Sequence, residues 1–322
     1  MIMNYEASVN PPKGLLVSQV PQFVVLGFDD NQDANGMSWV LNLLNEKINP
    51  VGRGNAGTYD GTRVHASFYV CFLDGYHRVL PVAVEQWRRA VECGHEIGNH
   101  TYSHLHGTRY TVEQWEREIQ KCEEALDNEL GINTLGFRAP YIEYNSNLFY
   151  ALISKGLLYD CSVSHAFDTT GDGGKNFYWP YTLDNDTPGN DRKVGKFPGL
   201  WEMPAYAVMI PPELRLDYCN KDRVTGLDWN MWYEEGYCMN KGDFVSSLIY
   251  SLDQRMKGNR APMIFGAHTS VYSDTYGHNE RATVKDRRDA LVDFINYALS
   301  IPEVRFVSMK ELINWLREPV AL

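Results

Sequence analysis

The sequence predicts an α/β protein, a single distorted (β/α) barrel of about seven parallel strands with long loop insertions. Short apolar, β-branched runs alternate with amphipathic segments of helical period along the whole chain, the order that builds a helix-covered parallel sheet. No linker divides the 322 residues, so they read as one domain, 1–322, with a core over about 20–318.

FVVLGF (23–28) is a buried strand, followed by a helix over about 37–46 and a Gly/Asn-rich insertion over about 48–64. HASFYVCFL (65–73) is the second strand, and 81–93 an amphipathic helix that Gly94 closes. GHEIGNH (94–100) is a short strand ending in histidine. Thr111 and Gln114 form a capping box for a helix to Leu130, with Trp115, Ile119, Cys122 and Leu126 on one face and Gly131 as its stop. A strand at 134–137, a helix at 146–155 and a strand at 158–162 follow. Residues 165–243 are mostly Gly, Asp, Asn, Pro and aromatics, a second insertion interrupted by the apolar run LWEMPAYAVMI. Order resumes with a helix at 243–256, a strand at 263–267, a helix within 284–299, a strand at 305–308 and a last helix at 310–317.

A net charge of −11 with no basic run opposes binding to a phosphate backbone, so nucleic acid is not expected as a partner. No apolar stretch is long enough to span a membrane. The first residues lack the pattern of a signal peptide, which leaves a secreted or periplasmic protein without its leader, or a cytoplasmic one. Cys219 and Cys238 lie in the loop-rich insertion, where a disulfide is open to them. The 20 Tyr and 8 Trp suit either packing or stacking against sugar rings.

In a barrel, reactive side chains gather where strands end. The first strand ends in Asp29-Asp30, adjacent carboxylates whose repulsion a divalent metal would offset; one of them capping the next helix is the structural alternative. The third strand ends in His100, with His104 four residues on. One carboxylate and two imidazoles suit Zn²⁺ or a similar first-row ion and leave a coordination position for water, although two such histidines can also share a surface turn. Arg138 stands where it could hold an aspartate ionised, Pro140 fixes the chain so that the Tyr141 amide could face a ligand, and MIFGA ends in His268.

The ordered set FDD, HTYSH, RAPY and a strand-end histidine resembles carbohydrate esterase family 4, the nodulation-type polysaccharide deacetylases, over roughly residues 20–318. LLYDCSV, WPYTL, WEM, RAPMIFGAH and RFVSMKELINWL look like the chitin deacetylases of insects and their bacterial relatives. The resemblance implies that Asp30, His100 and His104 hold the metal, most often Zn²⁺, with Co²⁺ or Ni²⁺ as alternatives. It also implies that Asp29 is the general base paired with Arg138, that His268 is the general acid, and that the Tyr141 N–H helps to hold an oxyanion. The substrate implied is an N-acetylated glycan, chitin or a chitooligosaccharide, with acetate released. An O-acetyl esterase on acetylxylan, a peptidoglycan deacetylase and a catalytically inactive glycan-binding protein are the alternatives, and the oligomeric state is left open. The family's fourth motif, an Asp near a Trp that tunes the histidine, is not placed by the sequence. Glu202 is the candidate for that role and Trp201 for a pocket wall. Trp179, Tyr181, Trp229, Trp232 and Tyr233, in the second insertion, are candidates for the sides of a sugar groove that the 48–64 insertion would also flank.

Overall fold

The computed structural model describes residues 5–73, 79–189, 193–277 and 279–322. The strands in chain order are β1 (Gln22–Asp29), β2 (Ser67–Val70), β3 (Glu96–Asn99), β4 (Gly136–Phe137) and β5 (Tyr159–Asp160). They continue as β6 (Ser164–His165), β7 (Tyr181–Leu183), β8 (Phe197–Glu202), β9 (Ala205–Tyr206), β10 (Val208–Met209) and β11 (Arg223–Val224), then β12 (Met263–His268) and β13 (Val304–Phe306). The helices are α1 (Ala34–Asn45), α2 (Pro81–Glu92), α3 (Val112–Leu130), α4 (Ser146–Ser154), α5 (Asp228–Trp232), α6 (Lys241–Lys257), α7 (Val284–Leu299) and α8 (Met309–Arg317).

One nine-stranded sheet runs β12-β1-β2-β3-β4-β5-β8-β7, and β13 pairs with the start of β1. Within this sheet every pairing is parallel except that of β7 with β8, so the expected mostly parallel α/β barrel is what the chain forms. β7 and β8 are the strands beyond the seven read from sequence; both come from the second insertion, where Gly and Pro blur the pattern. The capping box of α3 is present as read, with Gly131 in the left-handed conformation at its end.

β1 shows how the site is aimed. Successive side chains of a strand point to opposite faces. Val24, Leu26 and Phe28 pack with Val40, Leu44 and Leu291 beneath the helices, whereas Phe23 and Val25 join Tyr69, Tyr159, Trp201 and Ile264 in the barrel interior. Asp29 has the parity of Phe23 and Val25 and therefore faces inward. At Gly27, on the same inner face, an added Cβ would lie 2.8 Å from the Arg138 guanidinium. At Gly266 on β12 it would lie 2.0 Å from Leu227, so both glycines clear room under the site.

The insertion over 48–64 does not flank the groove as expected. It leads from a helix into the start of β2, and so belongs to the end of the barrel away from the strand C-termini. There Asp60 pairs with the buried Arg305 at 2.6 Å and Ile48 bridges Arg63. Cys219 and Cys238 are free thiols. Among the described residues, no helix is long and apolar enough to cross a membrane.

Candidate active site and metal centre

The turn after β1 carries Asp30 and Asn31 at φ +64° and +59°, a conformation costly for residues with a Cβ. Asn31 anchors it by donating its amide to the carbonyls of Phe28 (2.7 Å) and Tyr69 (2.8 Å). After β3, the His100 N–H donates to the Val70 carbonyl at 3.0 Å, extending the ladder by one residue. Thr101 then turns at φ +65° with its N–H on Asn99 Oδ1, and its hydroxyl accepts from the N–H of His104, itself at φ +50°. That double turn folds His104 back beside His100, with ring centroids 5.0 Å apart. Concentrated left-handed strain of this kind persists only where surrounding structure enforces it.

His100 and His104 each aim Nε2 at Asp30 Oδ1, at 3.4 and 3.0 Å, and the three ligand atoms lie within 4.8 Å of one another. Whether these residues fit a metal is decided by the far side of the His100 ring. Its Nδ1 is 2.7 Å from the Arg138 carbonyl, which can only accept, so Nδ1 carries the proton. In the neutral ring Nε2 then presents a lone pair, turned toward a carboxylate oxygen. Two lone pairs facing each other repel unless a cation lies between them. An N, N, O donor set, with one ring oriented by a backbone carbonyl, fits a first-row divalent ion such as Zn²⁺.

Asp29 is 2% exposed and accepts from Arg138 Nη1 at 2.7 Å. Arg138 is fully buried and held on every side. It donates to the Gly27 carbonyl (3.1 Å), the Cys161 carbonyl (3.2 Å) and Cys161 Sγ (3.0 Å), and lies 4.4 Å over the Tyr69 ring. The fork has little freedom, and neither has the carboxylate it grips. Asp29 and His268 are register partners on adjacent parallel strands, which brings base and acid candidates together across one ladder step.

The partner of His268 is Asp228, on α5, which the sequence reading missed. Its carboxylate takes the ring Nδ1 at 2.8 Å and the backbone N–H of His268 at 3.1 Å. Burial pulls the His268 pKa down, but Asp228, with smaller help from Asp30 and Asp29, outweighs it and lifts it to about 9. The ring is thus protonated at neutral pH, and with Nδ1 engaged, its other proton sits on Nε2. The missed signal was the Asp228-Trp229 dipeptide itself, an acid beside a tryptophan. We expect Asp228→Asn to move the alkaline limb of the activity–pH profile from about 9 toward the ordinary histidine value near 6.5. Losing the anion removes what keeps the proton on, so the limb must fall; an unmoved limb with lowered rate would make Asp228 merely structural.

Glu202 does not serve His268. It is the register partner of Asp160, accepts from the Val163 N–H, and lies fully buried. Burial and the Asp160 charge hold its carboxyl well above the usual range, while Asp160 is raised to about 6 by burial. Trp201, 2% exposed, packs on Tyr5 at 4.5 Å and does not line the cleft that holds the candidate site. Trp179 packs against Trp315, Trp232 stacks on Phe244 at 4.1 Å, and Tyr181 is buried with its hydroxyl on His165. These aromatics fasten the insertion to the barrel, a role that composition alone does not separate from sugar stacking.

The cleft itself has a volume of about 390 Å³ and is lined by Asp29, Asp30, His100, His104 and His268, with Tyr141, Ile142, Leu227 and Trp229 at its sides. Trp229 stands edge-on to His268 at 5.8 Å and is backed by Tyr233, stacked at 4.8 Å. On the other side Tyr141, 53% exposed at φ +57°, stacks on His106 at 4.0 Å. Two backed aromatic plates therefore flank the charged floor.

Residues 18–159 match the family model for polysaccharide deacetylase. Chitin deacetylase 1 of Bombyx mori is 25% identical over 96% of this chain, and chitin deacetylase 8 of the same organism 26% identical over 98%. The chain spans 53% of the length of the first relative and 76% of the second. A solved structure from Mycobacterium smegmatis, described as a polysaccharide deacetylase, superposes with a TM-score of 0.63 at 18% identity. It covers 97% of this chain and 95% of its own, a likeness of fold. The matched stretch runs from before β1 into the start of β5, so residues 18–159 carry a polysaccharide deacetylase domain match.

Proposed function

We propose that the protein is a metal-dependent hydrolase that removes N-acetyl groups from a β-linked N-acetylglucosamine polymer or oligomer of the chitin type. The observation that carries this is the pairing of two pre-set proton carriers, Asp29–Arg138 and His268–Asp228, on adjacent strand ends beside the Asp30, His100 and His104 donor set. The likeness to two proteins named chitin deacetylases supports the glycan class.

An amide is a poor electrophile with a poor leaving group, so its hydrolysis needs a base for the water and an acid for the amine. A divalent ion held by Asp30, His100 and His104 would polarise the acetyl carbonyl and acidify water. Asp29, kept in place by Arg138, takes the proton of the attacking water. His268, already cationic, donates from Nε2 to the departing amine nitrogen. The Tyr141 N–H is assigned to the developing oxyanion, and Tyr141 and Trp229 present flat faces to the C–H sides of sugar rings. A secreted or periplasmic location goes with this reading, since a glycan polymer of this kind is met outside the cytoplasm, and a cytoplasmic one would go with short oligosaccharides.

The test is an acetate-release panel run with added Zn²⁺ on chitooligosaccharides, peptidoglycan fragments and acetylxylan. We expect release from chitooligosaccharides to dominate. Release from acetylxylan alone would replace the amide reading by an ester one, and saturable glycan binding without turnover on any member would overturn the enzyme reading.

A further inference from the structure

Away from the cleft, residues 168–176 read DTTGDGGKN. Asp168, Thr170, Asp172 and Asn176 occupy positions one, three, five and nine of this stretch, with Gly173 directly after the third. Oxygen-bearing side chains at these spacings, with glycine at position six, are the arrangement by which a tight loop turns several oxygens toward one centre for Ca²⁺. Gly171, Gly173 and Gly174 supply the turns at φ +67°, +81° and +91°.

The loop also holds a buried carboxylate oxygen that no hydrogen-bond donor among the described residues reaches. Asp168 is only 7% exposed. Its Oδ2 accepts from the N–H groups of Asp172 (3.1 Å) and Gly174 (2.9 Å), but among the described residues its buried Oδ1 has no donor. What lies within hydrogen-bonding reach of this side chain is the carboxylate of Asp172, to which Thr170 and Asn176 also turn. A second anion is the wrong neighbour for a buried anion. The nearby guanidinium groups are engaged elsewhere. Arg223 binds Asp222 and the Ala166 carbonyl, and Arg255 lies 4.3 and 4.6 Å over the rings of Phe177 and Tyr206.

We propose that this loop is a second cation site, taking a hard divalent ion of the calcium type between Asp168 and Asp172, with oxygens of Thr170 and Asn176 beside it. It is independent of the catalytic reading, because its ligands are all oxygen and none lines the cleft. Position twelve of such a loop would be Trp179, so the usual bidentate glutamate is missing. With two carboxylates only, the affinity falls in the weak range, about 10⁻⁴ to 10⁻³ M. The loop is anchored beyond α6, where Asn259 donates its N–H to the Lys175 carbonyl and its amide to that of Phe177. Bound cation would thus tie the start of the second insertion to the helical layer.

The experiment adds Ca²⁺ to the zinc-loaded full chain and follows thermal melting, with Tb³⁺ luminescence as a second readout. A saturable rise in Tm of about 2–4 °C is expected at tenfold excess over the dissociation constant. Asp172→Asn keeps the shape of the loop but halves its charge, and should abolish both signals while melting no lower than the parent in chelator. Thr170→Val, which removes one oxygen and no charge, should weaken binding several-fold. Asp30→Asn, at the other centre, should leave the Tb³⁺ signal intact. No response up to about 10 mM Ca²⁺, well above the expected range, or an undiminished response in Asp172→Asn, would overturn the site.

Discussion

Asp29→Asn is expected to lower acetate release by about 100- to 10,000-fold while the protein still binds its metal. The substitution keeps size and hydrogen-bonding geometry but removes the proton acceptor. It also leaves the Arg138 guanidinium, fully buried at 2.7 Å from Asp29, without its counter-charge. Breaking a buried pair on one side costs about 3–5 kcal/mol, so Tm should fall as well. The two effects are separable because Arg138→Met with Asp29 intact shares the stability loss but not the loss of the base. Metal content and Tm measured beside the rate decide the matter. Full activity in Asp29→Asn would end the assignment.

Removing the metal is expected to have the other large effect. Chelation, or His104→Ala, which takes away one of three ligands, should reduce turnover by about three orders of magnitude, the loss of several kcal/mol of stabilisation of the developing charge. In chelated wild type, Zn²⁺ should restore the rate in proportion to the metal bound, and Co²⁺ or Ni²⁺ should restore part of it. In His104→Ala, restoration should demand much higher metal. The folded state gives a reason to expect little unfolding on chelation. The turns that place the ligands are fixed by Asn31, Asn99 and Thr101 through hydrogen bonds that need no metal. Metal-free protein that retains its full rate would refute the proposal.

Much of this was legible in the chain because strand ends leave a clear trace. Asp29, Asp30, Arg138 and His268 follow apolar runs and His100 a short strand, and a parallel sheet forces the ends of neighbouring strands onto one rim. α3 was legible for a different reason, since its capping box and helical spacing are local. Asp228 was not, because it sits in an insertion without periodicity and meets His268 only across the fold. Glu202 illustrates the opposite failure. It ends a strand as the candidate site residues do, yet its register places it opposite Asp160, inside the barrel and away from the cleft. The buried tryptophans of the insertion failed for want of any pattern that separates an anchoring aromatic from a stacking one.

The separate origins of His268 and Asp228 have a consequence for how such an enzyme can change. The residues proposed to hold the ion and to act as base come from the barrel's strand ends, whereas the proton affinity of the proposed acid is set mainly by Asp228 of α5, on a segment that contributes no proposed ligand. On the proposed function, alkaline tolerance can therefore be changed through α5 without touching a proposed ligand. Exchanging residues 226–233 between relatives should transfer the working pH range along with one wall of the cleft, while the ion stays as tightly held as before.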